Sequence, residues 1–203
     1  MISCLSDLER YINKSDEPSV PLLVRAALIH YQFEAIHPFP DGNGRVGRLL
    51  IPIILSAVGA LPQPLLYLSP YFEKHRTQYV DLLLDVSRRG AWLEWIRFFL
   101  AAVVEQGRET VQRVQRLQEL RSRYREQLMK TQRSATPVAL VDYLFQQPFI
   151  SIPRAREVLK VTYKAAQQNV EKLVRAGILS PLPGFTHPAY FSAPEIFSVI
   201  NAD

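Results

Sequence analysis

Residues 37–48 read HPFPDGNGRVGR and bring together side chains that are suited to handling a phosphate group. His37 offers an imidazole, the side chain most often used as a general base. Asp41 offers the carboxylate oxygen that Mg²⁺ prefers when it bridges a protein and a phosphate. The glycines in 42–44 let a ligand approach the main chain closely, and Arg45 and Arg48 carry planar forks that match phosphate oxygens. The sequence therefore predicts a phosphate-handling site.

The elements around this stretch are predicted to place it between two helices. The segment before His37 has a helical pattern, and Pro38 disfavours helical backbone at His37, so the histidine should leave its helix and point into a loop. Asn43 is a good N-cap, and the next helix should begin near Arg45 and continue through the apolar run 49–55. The free N–H groups and the positive dipole end at such a helix start form an anion site before any side chain is counted.

Each of these residues, taken singly, has an ordinary structural explanation. A histidine after a helix usually packs, a DGNG stretch is usually a turn, and arginines on a helix usually face water. Their coincidence within twelve positions is what favours a functional interpretation. Two other site types are excluded, because no Gly-Lys-Ser/Thr follows the glycines as in a Walker loop, and no second histidine or cysteine lies at zinc-ligand spacing.

The stretch 37–48 matches the motif of the Fic family, His-x-Phe-x-Asp/Glu-Gly-Asn-Gly-Arg-x-x-Arg, at every specified position. The match is highly specific, and the chain resembles Fic proteins outward from it as well. The similar segments are 27–36, 66–69, 71–74 and 92–100, so the resemblance covers about the first half of the chain closely. The second half resembles the helical linker and the C-terminal winged helix of longer bacterial Fic proteins.

The resemblance implies transfer of AMP from ATP to a Ser, Thr or Tyr hydroxyl of a target protein, with pyrophosphate leaving. By motif position, His37 would be the general base and Asp41 would hold Mg²⁺ across the α and β phosphates. Phe39 would anchor the loop to the core. The remaining motif residues would bind the nucleotide phosphates: Gly42, Asn43, Gly44, Arg45 and Arg48.

Several alternatives stay open at this stage. Fic relatives with nearly the same motif transfer UMP, phosphate or phosphocholine instead of AMP. Similar proteins also carry an upstream flap and an inhibitory helix whose glutamate pairs with the residue equivalent to Arg48, and only 36 residues precede His37 here. We therefore expect a shortened Fic core that lacks both elements. Besides a weakened adenylyltransferase, the chain could be an inactive nucleotide-binding remnant or a winged-helix DNA-binding regulator.

Composition limits the class of protein. The chain has 203 residues and 48% hydrophobic content, enough for one sizeable core or two small ones. No run of about 18 apolar residues occurs and no signal peptide opens the chain, which predicts a cytoplasmic protein without a membrane partner. Cys4 is the only cysteine, so no intramolecular disulfide can form. The expected partners are ATP and a target protein or the chain itself, and a homodimer is left open.

The basic residues are concentrated in one segment. Residues 107–133 contain eight basic and three acidic side chains, a net charge of +5 that equals the excess of the whole chain. Apolar residues recur there every three or four positions, at Val111, Val114, Leu117, Leu120, Tyr124 and Leu128, which predicts a linker helix over 106–134 with one packed stripe. A solvated basic face is favoured over a surface that meets an acidic partner or nucleic acid.

The C-terminal part, 135–203, is predicted to form a small winged helix-turn-helix domain. Helices are expected over 136–146, 151–160 and 162–176, followed by a β-hairpin within 178–192 and a short helix from Pro194. The third helix would carry Lys164, Gln167, Gln168, Lys172 and Arg175 on its outer side. The wing, 182–191, contains no Arg or Lys, so protein docking is favoured over DNA contact. The predicted fold class is mostly α: a Fic-type helical core over 1–105, the basic linker helix and the winged helix.

Overall fold

The computed structural model describes residues 2–13, 20–131, 136–186 and 188–201. The described residues are mainly helical with one small sheet, which confirms the prediction of a mostly α fold. The chain divides into two compact units, Met1–Thr110 and Val111–Asp203. The predicted domain boundary at 134/135, Arg133 of the basic segment and His187 of the wing lie outside the described residues, and the three-part division stays a prediction.

The described residues of the first unit form six helices, the last of which continues into the second unit. They are α1 (Ile2–Asn13), α2 (Leu22–Ile36), α3 (Asn43–Ala57), α4 (Ser69–Lys74), α5 (Arg76–Arg89) and α6 (Trp92–Thr131). Helix α2 ends at Ile36, directly before the prolines, as predicted. Helix α5 ends at Arg89 and is followed by Gly90, which has left-handed backbone (φ 69°) and donates its N–H to the carbonyl of Val86.

The core of the first unit forms around α2, which packs against α3, α5 and the start of α6. Trp95 and Phe99 of α6 are fully buried, and the indole N–H of Trp95 donates to the carbonyl of Ala27 on α2 at 3.0 Å. A smaller cluster, with Leu8, Phe33 and Ile54, joins α1, α2 and α3. The two helices that flank the motif loop are therefore fixed to a packed core, which holds the ends of the loop in place.

The second unit contains the remaining elements: α7 (Thr136–Leu144), β1 (Phe149–Ser151), α8 (Ile152–Leu159), α9 (Tyr163–Arg175), β2 (Ser180–Thr186), β3 (Ala189–Ser192) and α10 (Pro194–Asn201). The side chains of Ser151 and Thr162 cap α8 and α9 by accepting bonds from backbone N–H groups. The predicted hairpin is β2 and β3. It belongs to a three-stranded antiparallel sheet of order β1-β3-β2, whose first strand the sequence analysis did not predict.

The packed stripe predicted for the basic segment is only partly correct. Leu120, Tyr124 and Leu128 are buried in the core of the second unit, but Val111 and Val114 are 57% and 43% exposed. The stripe begins to pack at Leu117, because that is where the helix reaches other elements of its unit.

Ion pairs within the second unit neutralise part of the basic face of α6. Arg121 and Arg125 lie 2.8 and 3.7 Å from the carboxylate of Asp142, and Arg123 pairs with Glu195. Glu195 also accepts a hydrogen bond from the hydroxyl of Tyr124 at 2.8 Å. Three of the arginines in the basic segment are thus already matched to acidic side chains. Among the described helices, none is both long and apolar enough to cross a membrane.

Candidate functional site

His37 occupies a distinctive backbone position at the end of α2. Its φ and ψ of 49° and 59° are left-handed, and its N–H donates to the carbonyl of Phe33 at 3.1 Å. A left-handed conformation is uncommon for a residue with a side chain and costs of order 1–3 kcal/mol. Pro38 accounts for the end of the helix, because right-handed helical backbone before a proline is sterically disfavoured, and the N–H bond to Phe33 accompanies the left-handed turn. The result is an exposed imidazole at the start of the loop, as the sequence predicted.

The side chain of Asn43 closes the loop. Its Oδ1 accepts from the N–H of Phe39 at 2.8 Å, and its Nδ2 donates to the carbonyl of Phe39 at 2.6 Å. The predicted N-cap role of Asn43 is therefore wrong. Helix α3 begins at Asn43 itself, two residues before the predicted start, and the cap position is Gly42 with φ 84°. The structure leaves Phe39 46% exposed, with its ring centroid 6.3 Å from that of Phe33, so it is an anchor at the edge of the core.

Helix α3 starts without a side-chain cap. The N–H of Val46 donates to the carbonyl of Gly42 at 3.0 Å, which is the first bond of the helix, so the N–H groups of 43–45 have no partner within it. Together with the positive end of the dipole, these N–H groups are suited to bind an anion. The buried amide of Asn43 is occupied by the loop, so its contribution to such a site comes from the backbone.

The two motif arginines flank this helix start in different ways. Arg45 Nη2 lies 3.0 Å from Asp41 Oδ2 in an exposed ion pair. Arg48 donates from Nε to the hydroxyl of Ser69 at 3.1 Å. A Cβ added to Gly44 would lie 3.0 Å from Arg48 Nη1, so the missing side chain at Gly44 leaves room for the guanidinium across the first turn of α3.

A cleft of about 530 Å³ opens beside the arginines. Arg45 and Arg48 lie at its polar side, and the rest of its wall is largely apolar with one carboxylate. The wall residues beyond the arginines include Leu49, Pro52, Leu66, Tyr67, Ser69 and Glu73. Neither His37 nor Asp41 lines the cleft. The structure therefore places the predicted base and metal ligand on the loop, and the predicted phosphate-binding arginines between the loop and a cavity with room for a nucleoside.

A buried polar layer lies behind the loop, and the sequence analysis did not predict it. His30 is completely buried, its Nε2 is 3.0 Å from the hydroxyl of Tyr79, and burial lowers its pKa to about 4. Burial has the opposite effect on the pKa of Tyr79, which it raises. Burial also raises the pKa of Glu34, against the attraction of the positive charges of Arg48 and His37. His30, Glu34 and Tyr79 stand 4 to 49 positions apart in the sequence, so no local pattern identifies them as a group.

Glu34 is the most unusual member of this layer. Its Oε1 is buried and has no hydrogen-bond partner among the described residues. A Cβ added to Gly47 would lie 2.4 Å from that oxygen, so Gly47 is the position that lets the carboxylate fit between α2 and α3. The carboxylate consequently sits close beneath the helix that carries both motif arginines.

The carboxylate in the loop is suited to hold magnesium only together with the phosphates of a substrate. The described residues contain no group of three or more His, Cys, Asp or Glu side chains that could hold a metal ion by themselves. The Asp41 side chain is 91% exposed and presents carboxylate oxygens close to the start of α3. One carboxylate plus substrate phosphates is a common arrangement for Mg²⁺, so Asp41 is suited to its predicted role as a magnesium ligand.

Comparison with known proteins supports the resemblance. Residues 1–55, which include the complete motif, match the Fic/DOC family. A probable protein adenylyltransferase of Aquifex aeolicus is 48% identical over 46 residues, which is 23% of this chain and 14% of that protein. The protein adenylyltransferase Fic of Drosophila ananassae is 44% identical over 90 residues, 44% of this chain and 17% of the relative. The match thus spans less than a fifth of the length of these relatives.

A solved structure resembles more of the chain. The crystal structure of a Fic family protein from Desulfovibrio desulfuricans G20 is similar with a TM-score of 0.50, over 95% of this chain and 54% of that protein. The identity is 20%, so this likeness concerns the fold.

Proposed function

We propose that this chain is a protein adenylyltransferase, which moves AMP from ATP to a Ser, Thr or Tyr hydroxyl of a target protein or of the chain itself. The observation that carries the proposal is the loop geometry. The exposed His37 begins the loop 38–42, and this loop leads to a helix start without a side-chain cap that is flanked by the forks of Arg45 and Arg48. The names of the similar proteins, which are protein adenylyltransferases, support AMP as the transferred group.

In the proposed reaction, the target hydroxyl oxygen attacks the α-phosphorus of ATP. Its proton passes to the imidazole of His37, which a protein hydroxyl can reach because the side chain is exposed. The bond from the α-phosphorus to the oxygen that bridges to the β-phosphate breaks, and pyrophosphate leaves with that electron pair. The N–H groups at the start of α3 and the two arginine forks stabilise the charge on the leaving pyrophosphate.

Magnesium and location belong to the same proposal. Asp41 would hold Mg²⁺ against the nucleotide phosphates, where the ion supplies positive charge to the phosphoryl oxygens. The chain is also proposed to be located in the cytoplasm, as expected from its sequence.

The second unit is proposed to be a winged helix that docks a protein. Helices α7, α8 and α9 followed by the hairpin β2–β3 support this assignment. The ion pairs of Arg121, Arg123 and Arg125 reduce the charge that is free to meet DNA phosphates, which favours docking over DNA binding.

The test is incubation of the chain with ATP labelled at the α-phosphate, with and without an acceptor protein extract. We expect covalent label and an AMP mass increase on a Ser, Thr or Tyr side chain. His37→Ala should abolish labelling and keep ATP affinity, measured by calorimetry, because the phosphates are held by other groups. His75→Ala, a change at a histidine that packs against Tyr71 in the same unit, is the matched control and should label normally.

The alternatives give different outcomes. Covalent label from ATP labelled at the γ-phosphate would show that phosphate is transferred instead of AMP. Covalent label from UTP alone would show that UMP is transferred. Nucleotide binding without any covalent label would contradict the proposal and support an inactive nucleotide-binding remnant. Loss of ATP affinity together with activity in His37→Ala would make His37 a structural residue.

A further inference from the structure

Ser69 is bonded to a motif arginine although it lies outside the motif. It is the first residue of α4, 21 positions after Arg48, and its partly buried hydroxyl accepts from Arg48 Nε at 3.1 Å. Both residues line the cleft beside the anion-binding helix start. The contact therefore joins a distant element of the first unit to the predicted phosphate site.

This bond determines which part of the guanidinium is available to a ligand. An arginine has five N–H donors in a rigid fork, so a bond at Nε leaves the four N–H groups of the two Nη atoms for other acceptors. Nη1 lies over the first turn of α3, 3.0 Å from where a Cβ on Gly44 would stand. The paired Nη edge is the one that binds two phosphate oxygens at once.

No fixed carboxylate partner competes for this edge. Within the described part of the chain, Arg48 forms no ion pair, whereas Arg45 is bonded to Asp41. Glu34 attracts Arg48 from the buried side without reaching it. The hydroxyl of Tyr79 also interacts with the guanidinium. The orientation of the guanidinium in the free protein thus depends on the hydroxyls of Ser69 and Tyr79 and on the space left by Gly44.

We infer that Ser69 is a positioning residue, which holds the Arg48 fork so that its Nη edge meets the outer phosphates of a nucleoside triphosphate. The inference rests on the proposed function for the identity of the ligand. Ser69 acts through Arg48 in this assignment and does not take part in the chemistry.

The first arm of the test uses the full chain without nucleotide. NMR measures hydrogen exchange at the Arg48 Nε–H, assigned by its loss in Arg48→Lys. Exchange should be slow in the unchanged protein, faster in Ser69→Ala and slow again in Ser69→Thr, which keeps the hydroxyl. Ser87→Ala is the matched control, because Ser87 also bonds a side chain, the hydroxyl of Tyr31 at 2.9 Å, in the same unit. Equal exchange in all four proteins would overturn the inference.

The second arm measures dissociation constants of ATP and ADP with Mg²⁺ by calorimetry. Ser69→Ala should lower the preference for ATP over ADP by about tenfold, the size of a lost hydrogen bond to a charged group, and leave ADP affinity unchanged. Ser69→Thr should restore the preference, and Ser87→Ala should retain it. Equal losses for ATP and ADP would overturn the inference, since they indicate direct contact with the nucleotide or a structural role.

The two arms separate the inference from the proposed function. If the exchange results are as expected but the unchanged protein binds neither nucleotide, the positioning role stands and the proposed function fails. If the unchanged protein prefers ATP and transfers AMP, but Ser69→Ala changes neither exchange nor preference, the inference fails and the proposed function stands.

Discussion

Replacing Gly47 by alanine tests how tightly the motif helix is packed against α2. A Cβ at Gly47 would lie 2.4 Å from Glu34 Oε1 and 3.0 Å from Phe33 Cδ1. The carboxylate can rotate, but its buried oxygen then has to find a new environment. The ring of Phe33 is buried with Leu8, Ile29 and Ile54 and has little room to move. Gly107 in α6 is the matched control, because a Cβ there meets nothing within 4 Å.

The magnitude follows from two opposing effects. Alanine is favoured over glycine in a helix by about 1 kcal/mol, so Gly107→Ala should raise the free energy of unfolding by about that amount. Overpacking costs about 1–3 kcal/mol, so Gly47→Ala should lower it by about 0–2 kcal/mol after the same helix gain is subtracted. We expect a gap of about 1–3 kcal/mol between the two variants, or several degrees in the melting temperature of a unit of this size.

Urea unfolding followed by tryptophan fluorescence measures this gap in the first unit alone. The chain has only two tryptophans, and both Trp92 and Trp95 lie in that unit. The change Gly47→Ala should cost less when Glu34→Ala is already present, and a double-mutant cycle measures that coupling. Stabilisation by Gly47→Ala equal to that by Gly107→Ala would refute the packing argument.

Three further predictions concern pH, metal and nucleic acid. Burial lowers the pKa of His30 from 6.5 to about 4. Between pH 6.5 and 4, a proton therefore binds the imidazole more readily in the unfolded chain than in the folded one. The free energy of unfolding should then fall by about 3 kcal/mol from pH 6.5 to 4, and His30→Gln should remove this loss. Glu34 has a raised pKa and opposes this fall in both the unchanged protein and the variant. Identical pH profiles of the two proteins would contradict the role of His30. Asp41→Asn should weaken Mg²⁺-dependent ATP binding in calorimetry without changing the urea midpoint, because its ion pair is exposed; unchanged magnesium dependence would remove its role. The full chain should bind duplex DNA weakly at physiological salt in gel shifts, and a sub-micromolar complex with a steep salt dependence would favour the regulator instead.

The sequence predicted those features that depend on neighbouring residues. Pro38 disfavours helical backbone at His37 and so ends α2, and the spacing of Arg45 and Arg48 places them on one face of α3. The caps at Ser151 and Thr162 and the hairpin in the second unit follow in the same way from local backbone preferences. These interactions span a few positions, so a pattern in the chain is enough to identify them.

Only the tertiary structure decided the contacts between distant segments. Strand β1 has three residues and exists because Phe149 pairs with Ser192 across the sheet. The bond from Arg48 to Ser69, the place of Glu34 beneath Gly47 and the contact of His30 with Tyr79 likewise join different helices. The sequence allows the side-chain amide of Asn43 to cap its helix, but in the folded loop this amide bonds the backbone of Phe39. Local preferences fix where an element begins and ends, whereas the partner of a buried polar group is set by which elements pack against it.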